Sequence, residues 1–163
     1  MDFTIKLSFI VVLFTFAWLY QEQNQEWDLQ RNILKEANNH SAHDAALQVD
    51  EEAKSAGRLV IDPARARSAF EETLRRNLTL DESLSPLPGS PLNSSVRIVH
   101  FEILDESNST FPLFYEAHGI AQWVHHPSVV SVIETNHPQF VRRLFEQKPI
   151  QVPTIEEHKE NRR

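Results

Sequence analysis

The side chains best suited to chemistry are eight histidines, a few adjacent carboxylate pairs and a scatter of serines. His40 and His43 are three apart with Asp44 beside them, a spacing that on a helix puts both imidazoles on one face, as a divalent metal would need. A complete site also requires a third ligand and groups that orient the first ones, and neither is legible nearby. His125-His126-Pro127 places neighbouring imidazoles in different directions ahead of an extended segment. Both pairs therefore read as solvated surface, and neither metal nor cofactor is expected. The carboxylate pairs Glu51-Glu52, Glu71-Glu72 and Glu156-Glu157 are sequential, so on helices they splay where an acid and a base would have to converge. No serine lies in a G-x-S-x-G elbow or an S-x-x-K motif. With no convergent polar constellation, the chain reads as a protein that is not an enzyme.

Composition narrows the classes further. Sixteen Lys and Arg against 23 Asp and Glu give a net charge of −7, the wrong sign for a phosphate-backbone binder, so nucleic acid is excluded as an expected partner. The absence of cysteine rules out disulfides, thiolate nucleophiles and zinc–cysteine sites, and fits either side of a bacterial membrane. Glycine occurs only at Gly57, Gly89 and Gly119, too sparsely for a phosphate-cradling loop. The sequons Asn39-His40-Ser41, Asn77-Leu78-Thr79, Asn93-Ser94-Ser95 and Asn108-Ser109-Thr110 are read as incidental.

The feature around which the chain is organised is the uncharged block from Leu7 to Tyr20, bounded by Lys6 and by Gln21-Glu22. Its expected membrane-facing residues are Leu7, Phe9, Ile10, Val11, Val12, Leu13, Phe14, Phe16, Trp18, Leu19 and Tyr20. Counted from Phe3 the segment is about eighteen residues, roughly 27 Å of helix against a hydrocarbon core of ~30 Å, a length that spans if Lys6 snorkels to the headgroups. Trp18 and Tyr20 sit where amphipathic aromatics favour the interface. Ala17-Trp18-Leu19-Tyr20-Gln21-Glu22 offers no small-residue cleavage pattern, which favours an uncleaved anchor over a signal peptide. A buried core helix is the third reading, and it leaves the all-round apolarity unexplained. The basic residues on the two sides are nearly balanced, and the short N-terminal tail predicts the N-terminus inside and the remainder extracytoplasmic.

From Gln21 to about residue 56 there is no proline or glycine, and apolar residues recur every three to four positions, predicting an amphipathic continuation of the same helix. Its expected packing stripe is Trp27, Ile33, Leu34, Ala37, Ala42, Ala45 and Val49, with Ala37-Asn38-Asn39-His40-Ser41 as its weak point. Gly57 closes the pattern, Arg58-Leu59-Val60-Ile61 is extended, and Asp62-Pro63 starts a second helix to about Asn77. Ser95 to Leu104 alternates, with Val96, Ile98, His100 and Glu102 expected on one face and Arg97, Val99, Phe101 and Ile103 on the other. Further strands are predicted at Phe111 to Tyr115, Ile120 to Val124 and Ser128 to Thr135, and a short closing element at Phe140 to Phe145. The predicted fold is α+β: a long N-terminal membrane-anchoring helix, then a small domain with a helix and a short antiparallel sheet. The expected division is an anchor over 1–20, a continuation helix over 21–56, an extracytoplasmic domain over 57–153 and a frayed charged tail over 154–163.

This pattern resembles the TadE-like minor pilins and pseudopilins of the tight-adherence type IV pilus system, of the Gram-positive type. The resemblance is carried by the anchor running into a long helix, by Ala42 to Asp50 (AHDAALQVD), by Gly57 to Asp62 followed by Ala69-Phe70 through Asp81, and by Pro127 to Thr135 (PSVVSVIET). It implies a membrane-embedded subunit whose partners are the membrane and other pilin-like or assembly-platform subunits. Type IV pilins carry a Gly or Ala before the apolar helix and an acidic residue five positions into it; here neither is present and Asp2 precedes the block, which leaves a membrane-resident accessory subunit open beside a filament subunit. A membrane-tethered extracytoplasmic sensor or ligand-binding domain is the alternative from a different class.

Overall fold

The structure, a computed structural model, describes residues 2–136 and 149–158. The architecture is α+β. Helix α1 runs unbroken from Asp2–Ala46, followed by a single short turn of helix α2 (Glu51–Ser55) and by α3 (Pro63–Leu78). Five strands follow: β1 (Val96–Leu104), β2 (Leu113–Ala117), β3 (Ile120–Val124), β4 (Ser128–Thr135) and β5 (Ile150–Glu157). They form an antiparallel sheet in the order β1-β4-β5 and a separate β2-β3 hairpin. The helices cover one face of the sheet and the hairpin covers the other, so every residue of central strand β4 is buried.

At 45 residues, α1 is roughly 67 Å long. It does not continue to residue 56. Asp50 accepts from the amides of Glu52 and Ala53 (2.8 and 3.0 Å) and caps a new helical turn. Val49 meanwhile bridges Ile61, flanked by Asp50 N to Val60 O and Asp62 N to Gln48 O, both 2.8 Å. Val49 is buried as the stripe requires, but in an extended segment. The weak point around Asn38 stays helical because its polar side chains find partners in the sheet. Asp62 caps α3 through Ala64 and Arg65, with Pro63 in the first turn.

The main core lies between α1, α3 and the sheet, with Phe70 fully buried and edge-on to Phe101 at 5.2 Å. The expected alternation in β1 holds only as far as Ile98. Ile98 pairs Ile133 and His100 pairs Val132, so Val99 is an extra residue in a bulge. The bulge reverses the phase: Val96, Ile98, Phe101 and Ile103 all face the helices, Val99 is left 46% exposed, and His100 and Glu102 face the hairpin.

The tail expected to fray from Thr154 is part of β5 as far as Glu157. Pro153 hid this strand in the sequence. Because among the described residues β5 pairs only with β4, its outer side tolerates a residue without an amide hydrogen. Thr154 donates to Asn39 Oδ1 (2.6 Å), and His158 sits against the last carbonyl of α1, Ala46 O, at 2.9 Å. The closing element expected at Phe140 to Phe145 lies outside the described residues.

Candidate functional site

The feature that distinguishes this molecule is the apolar half of α1. From Phe3 to Tyr20 each large apolar side chain is at least half exposed, with Phe16 at 68% and Trp18 at 62%, so no described residue covers them. Exposed apolar surfaces of this extent are characteristic of segments that meet a membrane or another protein, and a signal sequence near the N-terminus has the same length and composition. Among the described residues this is one helix long and apolar enough to cross a membrane, with a mean hydropathy of 1.9 in its apolar window. Zero burial of that window separates it from an ordinary core helix. Phe14 and Trp18, four apart, contact edge to face at 6.3 Å along the same flank.

The second half of α1 is the docking element. Leu34, Ala37, Ala42 and Ala45 are buried in the core and Ile33 is packed at its margin. Trp27 lies short of the domain body, 37% exposed, with the Arg31 guanidinium 5.8 Å above its ring. Between Tyr20 and the body, Gln21, Glu22, Asn24, Gln25 and Glu26 are exposed on an uninterrupted helix. Sequence periodicity locates the apolar stripe but not its polar members. Asn38 and Ser41 are fully buried within it. Asn38 Nδ2 donates to Val152 O (2.9 Å) and, more weakly, to Ser131 O (3.5 Å), while its Oδ1 accepts from Ser131 Oγ (2.8 Å). On the other flank Thr73 Oγ1 donates to Asp44 Oδ2 at 2.6 Å, tying α3 to α1.

The groups considered for chemistry are dispersed. His40 is exposed, His43 is half-buried, and Asp44 is engaged by Thr73; His125 and His126 are exposed. No set of three or more His, Cys, Asp or Glu among the described residues is arranged to hold a metal ion. Glu71 pairs with Arg67 along α3 at 2.6 Å, and Glu51 and Glu52 occupy the first turn of α2.

Two polar clusters were not legible. Across the sheet, Arg97 on β1 and Gln151 on β5 flank Glu134 on β4; Gln151 donates at 2.8 Å and Arg97 forms an ion pair with the same carboxylate. The Gln151 hydrogen bond, reinforced by the Arg97 hydrogen bond and charge, holds the Glu134 carboxyl below its ordinary range against the opposing effect of burial. On the hairpin side, Glu102 Oε2 accepts from Tyr115 OH (3.1 Å) and lies 3.2 Å from His100 Nε2. Burial, with the neighbouring Glu102 charge and hydrogen bond, pushes the Tyr115 hydroxyl up to about 12. The two-residue spacing of His100 and Glu102 on a strand was the available signal for this second cluster; the bulge concealed which face they share.

No protein-family model, curated protein or solved structure matches this chain.

Proposed function

We propose that this protein is a single-pass membrane subunit with an extracytoplasmic α+β domain, acting as a minor pilin-like component of a tight-adherence pilus or a related secretion assembly. One observation carries the reading: a single continuous helix, α1, is uncovered and apolar at one end and is the spine of the folded domain at the other. A tether that only localises a domain needs no rigid connection and can be a flexible linker. A helix shared by anchor and domain transmits position from one to the other, which is what a subunit in an ordered assembly requires. In the bilayer the exposed apolar side chains gain a matching solvent, and adjacent copies or platform helices pack against them.

The test uses the full chain in its own membrane, exploiting the lack of native cysteine. Asn93→Cys, exposed on the folded domain, is expected to react with a membrane-impermeant maleimide in intact cells. Single cysteines over one turn at Leu13 to Phe16 are expected to cross-link to a second apolar helix. Labelling of Asn93→Cys only after lysis refutes the topology. Labelling in intact cells without a cross-link at any of those positions refutes assembly and leaves a tethered sensor.

A further inference from the structure

Where α1 passes from its apolar half to the domain body, it carries two doublets of like charge. Glu22 and Glu26 are four residues apart, as are Arg31 and Lys35, and all four side chains are exposed. Like charges at this spacing repel one another along a helix. Among the described residues none of the four is in an ion pair, and the Arg31 guanidinium rests over the Trp27 ring. Corresponding members of the doublets are nine residues apart, about two and a half turns, so they leave the helix on opposite sides. Leu34, buried in the core, points between them, which makes one flank of α1 acidic and the other basic. We propose that these flanks join successive copies of this chain: Glu22 and Glu26 of one copy face Arg31 and Lys35 of the next, with the helices parallel and displaced by nine residues, about 14 Å.

The matched spacing selects the occupant. Because each doublet has the same spacing, one displacement aligns both ion pairs at once, and a second copy carries the complementary doublet at the required interval. The remaining charges of α1 near the contact do not oppose it. Asp28 lies on the shoulder of the basic flank, about one turn below Arg31; the displacement brings it level with Leu19 of the neighbour, below both pairs. Glu36 lies on the shoulder of the acidic flank and shares its sign, and Asp2 and Lys6 precede the apolar block. The two surfaces in contact are different, so each copy keeps one of them for a further copy and the contact is open-ended. Exposed ion pairs add little affinity; their effect is to fix the register of helices held together by apolar contact. In a flat bilayer this displacement lifts half of one apolar segment out of the hydrocarbon, so the register belongs to an assembly in which neighbouring apolar helices replace lipid. The inference rests on the assembly reading and names its partner as a second copy.

Disulfide cross-linking of the full chain in mild detergent at low salt, where no bilayer fixes relative height, tests the register in a chain with no native cysteine. Glu26→Cys and Lys35→Cys together leave the Glu22 and Arg31 pair intact, and are expected to give a ladder of trimers and larger products. Either cysteine alone is expected to give none. In the paired-cysteine chain, Glu22→Lys sets two positive charges opposite each other and is expected to cut cross-linking on the order of fivefold. Adding Arg31→Glu reverses the pair and is expected to restore the ladder. Dimers from a single cysteine, products that stop at the dimer, or a Glu22→Lys loss that Arg31→Glu does not restore each overturn the proposal. No ladder, with cross-links still formed by the cysteines at Leu13 to Phe16, overturns this register and leaves the assembly reading standing; no product at either place overturns both.

Discussion

Replacing Asn38 with alanine tests whether polar contacts, and not the apolar stripe alone, seat the long helix on the sheet. Two of its hydrogen bonds are of full quality, Nδ2 to Val152 O at 2.9 Å and Ser131 Oγ to Oδ1 at 2.8 Å; the 3.5 Å contact to Ser131 O adds little. Each good bond contributes about 1 kcal/mol net, and the Val152 carbonyl, buried and stripped of this donor, costs a further ~1–3 kcal/mol. Alanine recovers roughly 0.6 kcal/mol through its better helix propensity. The balance is a loss of about 3 kcal/mol. Ser131→Ala should cost about 1 kcal/mol, and the two changes should couple by about 1 kcal/mol, since the first already removes the acceptor that Ser131 uses. Asn38→Leu fills the space and still leaves Val152 O unpaired, so it should recover only part of the loss. Pulse proteolysis across a urea series, with the full chain in mild detergent, reads the domain's unfolding while the apolar half of α1 stays in the micelle. An Asn38→Ala variant within about 0.5 kcal/mol of wild type, or strict additivity with Ser131→Ala, would refute the reasoning.

Phe70→Ala deletes a fully buried ring at the junction of α3 and Phe101, and should cost ~3–5 kcal/mol in the same assay; a cost below about 1 kcal/mol would mean that the core collapses around the gap. Tyr115 is held protonated in the fold up to about 12 against an ordinary value of 10.0, so its stabilisation is complete below pH 10 and is lost as pH rises from 10 to about 12. Ultraviolet titration of the phenolates in a Tyr20→Phe background should show this late ionisation, and Glu102→Gln should bring it lower by removing the neighbouring charge; identical curves for the two proteins would count against that cause.

Much of this fold follows from local chemistry that a sequence displays openly. Asp62-Pro63 is a capping residue followed by one whose fixed φ suits the first helical turn, and α3 begins there. Ser128 to Thr135 is rich in β-branched residues and becomes the strand buried on both faces. The parts that were hidden depend on partners distant in sequence. Asn38 is a poor helix former by itself and becomes a tie only when Ser131 and Val152 arrive opposite it. The bulge at Val99 exists because strict alternation would bury His100 and expose Phe101, and one unpaired residue settles that conflict. Pro153 argues against a strand until the strand is known to lie at an edge. The apolar half of α1 was wholly legible, because its length and composition are local properties; what it meets outside the chain is a property of its surroundings.

The exposed, polar turns of α1 between Tyr20 and the domain body act as a mechanical shaft. About nine residues at 1.5 Å each hold the body roughly 14 Å from the apolar segment, and each residue also turns it by about 100°. Height and heading are therefore geared together: removing one residue lowers the domain slightly and swings it more than a quarter turn around the axis, whereas removing a whole number of turns nearly restores its bearing. Any partner that must meet both the apolar segment and a particular side of the domain is selecting for the helical pitch of this stretch, whatever side chains occupy it.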